Sequence, residues 1–340
     1  MKPIWSRKPA LLLLPLVAEC LGSSGDRNPY YRRCLAGCQA SNCSQDGGQF
    51  VTDYRQPGYL RLLRWGCADE CEYQCMWSTV EKFQENQLNI PQFYGKWPFR
   101  RVLGIQEPAS MLFSLLNLFM HLMLLHKFRN EVRAGAPLRW LWLFYGAVCC
   151  NAWIWSAVFH SRDLPWTEWL DYVGAFSIIL VNCYAMCVRV LPHVLGAVFP
   201  KRPQLVLLVS LGFLLFFLKH AAYLSRGRFD YAYNIMLNIN VGALTAIGWL
   251  VWSVKCHPKP PYVHSCQLYV IFSGLVLLLE LLDSPPWFFV VDYHALWHLA
   301  TAPPLVYIYR FAMEDCRYLR SMERRGLLGG INGGAKARMD

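Results

Sequence analysis

Charge is scarce in this sequence: 16% of its 340 residues are charged and 55% are hydrophobic, whereas a soluble domain carries about 25% charged residues. After residue 108 the shortage becomes a pattern, because apolar runs of roughly 20 residues, enough to cross a bilayer, recur down the chain. A soluble enzyme is therefore excluded. Neither HExxH nor GxSxG occurs, which removes the commonest metalloprotease and serine-hydrolase signatures. No Gly-rich phosphate loop and no internal repeat stands out. Acidic residues are outnumbered 22 to 33 by Lys and Arg. The basic residues cluster between apolar runs, as cytosolic loops do, so no nucleic-acid partner is expected.

What is present begins with a secretory signal over residues 1–22. Lys2, Arg7 and Lys8 precede a core too short to span, and Cys20 and Gly22 fit a cleavage site. Residues 23–107 form a polar, Cys-rich segment. Its cysteines fall into two triplets, Cys34-x3-Cys38-x4-Cys43 and Cys67-x3-Cys71-x3-Cys75, with no histidine and no C-x2-C among them. That favours disulfides over a zinc module, and six cysteines allow 15 pairings. Asn42-Cys43-Ser44 is a glycosylation sequon, so this segment is expected to face the lumen.

Seven apolar runs follow, at about 109–127, 138–160, 170–191, 205–224, 234–254, 266–282 and 294–313. The expected fold is an all-α polytopic membrane protein, seven transmembrane helices over 108–313 preceded by the lumenal segment. A cytosolic tail, 314–340, ends in a Gly-rich stretch. Lys127, Arg129, Arg133, Arg139, Lys201, Arg202, Lys255 and Lys259 all fall on the cytosolic side of this topology, as positive loops should. The second lumenal loop, with Lys219, Arg226 and Arg228, is more basic than the rule favours.

Ser156 and His160 close the second run, Asp171 starts the third, and His294 and His298 open the seventh. Each pair is four apart and shares a helix face, and the topology brings all five to one depth near the lumenal interface. Ionisable groups in a span point to function, and three imidazoles with an open position form the ligand set of catalytic zinc. Asp171 then accepts a proton from water or orients a ligand, and Ser156 bonds that water or an oxyanion. Glu280 sits inside the sixth run and needs a partner. Asp283 and Asp292 read as solvated, and Pro303-Pro304 as a kink. His121, His126, His193, His220, His257 and His264 receive no role.

The S-x3-H at the end of one span, an Asp eleven residues on and H-x3-H in the last span resemble the pattern shared by alkaline ceramidases and adiponectin-type receptors. With the signal, the Cys-rich segment and the stretches NAWIWSAVFHSRD and DYHALWHLATAPP, the chain resembles the Per1-like family. The resemblance implies that His160, His294 and His298 bind zinc while Asp171 and Ser156 handle water. It also implies a Golgi membrane enzyme, N-terminus lumenal and C-terminus cytosolic. Its expected reaction is hydrolysis of the sn-2 unsaturated acyl chain from the phosphatidylinositol of glycosylphosphatidylinositol (GPI)-anchored proteins. The expected partners are those proteins, their inositol phospholipid and membrane lipids. Two other readings stand beside it: a seven-span receptor, and a lumenal scaffold or chaperone for GPI-anchored proteins, each with a structural metal site.

Overall fold

The computed structural model describes residues 23–194, 203–227, 229–256 and 259–326. The signal reading, the Gly-rich tail and the basic pair Lys201-Arg202 lie outside them. Two units emerge, the first ending at Pro98 and the second starting at Phe99.

The first unit is built on α1 (Pro29–Asn42), α2 (Gly58–Leu62) and α3 (Cys67–Glu85). Asn28 caps α1 through Oδ1, which accepts the Tyr30 N–H at 2.8 Å, and Pro29 occupies the first helical position. Asp69 closes the start of α3 by accepting the Gly66 N–H at 2.7 Å. The fifteen pairings reduce to one: Cys34–Cys75, Cys38–Cys71 and Cys43–Cys67. Pairs run in opposite directions along α1 and α3, so the helices are antiparallel. Cys34 and Cys38 on α1, and Cys67, Cys71 and Cys75 on α3, recur every four residues and form facing stripes. Cys43 lies just past α1 as its C-cap, whereas the second triplet sits wholly on one side of α3.

In the second unit, six helices among the described residues are long and apolar enough to cross a membrane. They are α4 (Pro108–Glu131), α5 (Arg139–Ser161), α6 (Pro165–Val194), α7 (Pro203–Leu224), α8 (Tyr231–Lys255) and α9 (Val263–Glu280). Exposed leucines crowd α7, including Leu207, Leu208, Leu214, Leu215 and Leu218, as expected of a lipid-facing helix. The seventh passage differs from a single run: it is made by α10 (Tyr293–Thr301) and α11 (Leu305–Arg324), broken where Pro303 and Pro304 supply no N–H. Strands are absent among the described residues; only isolated bridges occur.

The bundle packs through close approaches and an aromatic knot. A Cβ on Gly174 would come within 3.2 Å of the Ala152 Cα, so glycine lets α5 and α6 touch. Trp142, Trp249 and Trp252 stand edge-on around Phe311. Deeper along α6 and α11, the buried Arg189 Nε donates to both Asp315 carboxylate oxygens at 2.9 Å. Tyr262 donates to the same carboxylate at 2.5 Å, and the guanidinium lies 4.8 Å from the Trp252 ring centre. This pair locks α6, α8, α9 and α11 together.

Candidate metal centre

Five helix ends, those of α4, α5, α6, α9 and α10, meet at one end of the second unit. α5 delivers His160 in its last turn, and α10 presents His294 and His298 one turn apart on one face. Asp292 starts α10 by accepting the Ala295 N–H at 2.7 Å. It is therefore a half-buried helix cap, not the solvated carboxylate expected, whereas Asp283 is exposed.

The three imidazoles converge through Nε2. His298 Nε2 lies 3.1 Å from His160 Nε2 and 3.0 Å from His294 Nε2, and all three donor atoms fall within 4.8 Å of one another. Each outer histidine is held from behind by a carboxylate. Glu107 Oε2 accepts from His160 Nδ1 at 2.7 Å, and Glu280 Oε2 accepts from His294 Nδ1 at 2.7 Å. Glu280 thus finds the partner that its position demanded.

This proton arrangement fits a cation. A carboxylate acceptor keeps the proton on Nδ1 and leaves a lone pair on Nε2. His160 and His294 therefore both aim lone pairs at His298 Nε2, which has at most one proton to share between them. A metal satisfies all three, and nitrogens at ~2.0–2.1 Å from a tetrahedral zinc lie about 3.3 Å apart, close to the spacing seen here. Burial is uneven: His160 and His298 are enclosed, but His294 and Glu280 are 34% and 37% exposed. The cluster is open on that side.

Ser156 lies one turn before His160 and is buried. Its hydroxyl is 3.1 Å from that of Ser114, which also donates to the Ser110 carbonyl at 2.8 Å. Asp171, half-buried on the second turn of α6, stands within electrostatic reach of His160, His294 and the Ser156 hydroxyl. The structure thus brings all five expected residues together. The cysteine triad Cys43, Cys67 and Cys71 also clusters, but its sulfurs are in disulfides.

Sequence reasoning missed Glu107, Ser114 and Asn117. Glu107 looked like the last residue of a polar segment, yet its N–H also donates to the His160 carbonyl at 2.9 Å. The available signal was an acid just before Pro108, at a helix start where its side chain makes no cap. The remaining described histidines lie elsewhere. His121 bonds Tyr309, His126 bonds Asn130, His264 contacts the Pro261 carbonyl, and His220 packs on Phe176. His193 and His257 fall outside the described side chains.

The chain is 46% identical over 314 residues to Post-GPI attachment to proteins factor 3 of Drosophila melanogaster, covering 91% of this chain and 93% of that one. It is 41% identical over 311 residues to the GPI-specific phospholipase A2-like PGAP3 of Mus musculus, covering 92% and 95%. For the protein of that name in Homo sapiens the identity is 40% over 309 residues, covering 91% and 94%. No solved structure matches. The Per1-like family model matches residues 57–316, and the chain belongs to the Per1-like family.

Proposed function

We propose that this chain is a zinc-dependent acyl ester hydrolase of the Golgi membrane that releases the sn-2 unsaturated fatty acid from the phosphatidylinositol of GPI-anchored proteins. The observation that carries the reading is the convergence of three Nε2 atoms, two of them backed by carboxylates, beside a hydroxyl and a further carboxylate. The relatives' printed names, with GPI attachment or a GPI-specific phospholipase in them, support the substrate. Three disulfides suit an oxidising lumen. A chain entering α4 from the lumen puts Glu107 and the histidines at the lumenal face.

His160, His294 and His298 would hold the metal, and zinc when bound supplies Lewis acidity that makes water a nucleophile near neutral pH. The other groups divide the proton work. Asp171 takes the proton of the attacking water and returns it to the glycerol oxygen as the ester C–O bond breaks, so that acid and alcohol leave balanced. The Ser156 hydroxyl donates to the oxygen that gains charge on the attacked carbonyl. Glu107 and Glu280 keep the Nδ1 protons in place. The open side at His294 is where the lipid reaches the cluster.

The test is the lipid composition of GPI-anchored proteins in cells lacking this protein, rescued with wild type or His298→Ala. Wild type should restore loss of the unsaturated sn-2 chain and the variant should not. Equal rescue would defeat the metal mechanism and turn attention to the scaffold reading of residues 23–107.

A further inference from the structure

The face that α4 turns toward the broken seventh passage is polar. Ser114, Asn117 and His121 are spaced at i, i+3 and i+7, so they share one face over two turns, and none is more than 1% exposed. Each reaches across to that passage. Ser114 Oγ lies 3.5 Å from His298 Nδ1, and Asn117 Nδ2 donates to the His298 carbonyl at 2.7 Å. Beyond the break, His121 Nδ1 meets the Tyr309 hydroxyl at 3.0 Å. A Cβ on Gly146 would come within 2.9 Å of that hydroxyl, so α5 leaves room for it.

Backbone accounting at the break explains the middle contact. In an unbroken helix the Ala302 N–H would bond the His298 carbonyl. Here it donates to the Leu299 carbonyl at 3.3 Å, the tighter pattern of a helix end. Pro303 and Pro304 have no N–H to offer in its stead. The His298 carbonyl is thus left open at a helix end packed against α4, where an unmet carbonyl is costly. Asn117 meets it. The Thr301 hydroxyl divides its single proton between the same carbonyl, at 2.7 Å, and Asn117 Oδ1, at 3.2 Å.

We propose that α4 splints the break in the seventh passage, with Asn117 as a positioning residue that fixes α10 through the His298 carbonyl and so aims His294 and His298 at their common point. Two prolines free α10 from α11, and the polar face of α4 replaces the lost continuity with side-chain bonds. The part of this inference that concerns metal rests on the function proposed above; the splint itself does not.

The experiment compares full-length wild type with Asn117→Leu, which keeps the branched heavy-atom outline, though in a larger side chain, and removes the donor. Hydrogen exchange is followed at the amides of α10, and zinc loss is followed against a chelator. Outer-shell partners of metal ligands change affinity by about 10–100-fold, and Asn117 acts one step further out. About tenfold faster zinc loss is expected, with faster exchange confined to α10. Unchanged exchange in α10 would overturn the splint, and faster exchange with wild-type zinc retention would overturn the positioning role. If wild type holds no zinc, the proposed function fails and exchange alone decides the splint. Pro303→Ala restores an N–H that can bond Leu299 and release Ala302 for His298. In that background Asn117→Leu should lose most of its effect; an equal effect in both backgrounds would mean that Asn117 only fills space. Should Asn117→Leu not fold, Thr301→Val removes the other donor to the carbonyl. It should speed α10 exchange in the same direction, and no change would count against the splint.

Discussion

Glu107→Gln separates the two carboxylates that hold the histidines. The substitution keeps size and one hydrogen-bonding oxygen but removes the charge that draws the His160 proton onto Nδ1. Replacing an outer-shell partner costs about 10–100-fold in metal affinity, or about 1.4–2.8 kcal/mol at 1.4 kcal/mol per tenfold. The upper part of that range applies to Glu107, because the pair is almost sealed: His160 is 2% exposed and Glu107 9%. A charged acceptor in such surroundings is poorly replaced by water. Glu280 makes the same 2.7 Å contact to His294, but the two are 37% and 34% exposed. Water can take over there, so Glu280→Gln should cost tenfold or less. The assay is zinc affinity of purified full-length variants, by competition with a chromophoric chelator at one pH and salt. An unchanged affinity in Glu107→Gln, or a larger loss in Glu280→Gln than in Glu107→Gln, would refute the reasoning.

Three further outcomes are expected. Ser156→Ala should keep zinc, since it touches no ligand nitrogen, yet lower turnover by about 10²–10³-fold as an oxyanion donor does; metal content and fatty-acid release measured together check this. Asp315→Ala strands the buried Arg189 and should cost about 3–5 kcal/mol, whereas Arg189→Met with Asp315→Leu should recover most of it, read from thermal unfolding in detergent. Removing the middle bridge with Cys38→Ser and Cys71→Ser should cost less than the about 3 kcal/mol of a lone bridge, because Cys34–Cys75 and Cys43–Cys67 still close the loop. Protease resistance of residues 29–85 in the full-length protein checks it.

The site was legible in the sequence where polarity contrasted with its surroundings. His160, His294, His298, Asp171 and Ser156 stand at the ends of apolar runs, and seven passages brought them to one depth. Glu280 was visible for the same reason, and only its partner was missing. Glu107 was hidden because its neighbours are themselves polar; nothing in composition separates a carboxylate that faces His160 from one that faces water. Asn117 was hidden differently, since its role exists only once Pro303 and Pro304 have opened a carbonyl on another helix. The disulfide pairing could not be read from spacing until the cysteines were placed on helices. Residues 34 and 38 on α1 face 75 and 71 on α3 because the two helices run antiparallel, a direction that spacing alone does not set.

The most direct measurement is fatty-acid release from a GPI-anchored substrate by the purified protein, assayed as prepared, after chelation, after zinc is returned, and as His298→Ala. Release of the sn-2 chain that stops on chelation, returns with zinc and is absent in the variant would bear out a metal-dependent hydrolase. Wild-type release by the chelated protein or by His298→Ala would contradict it.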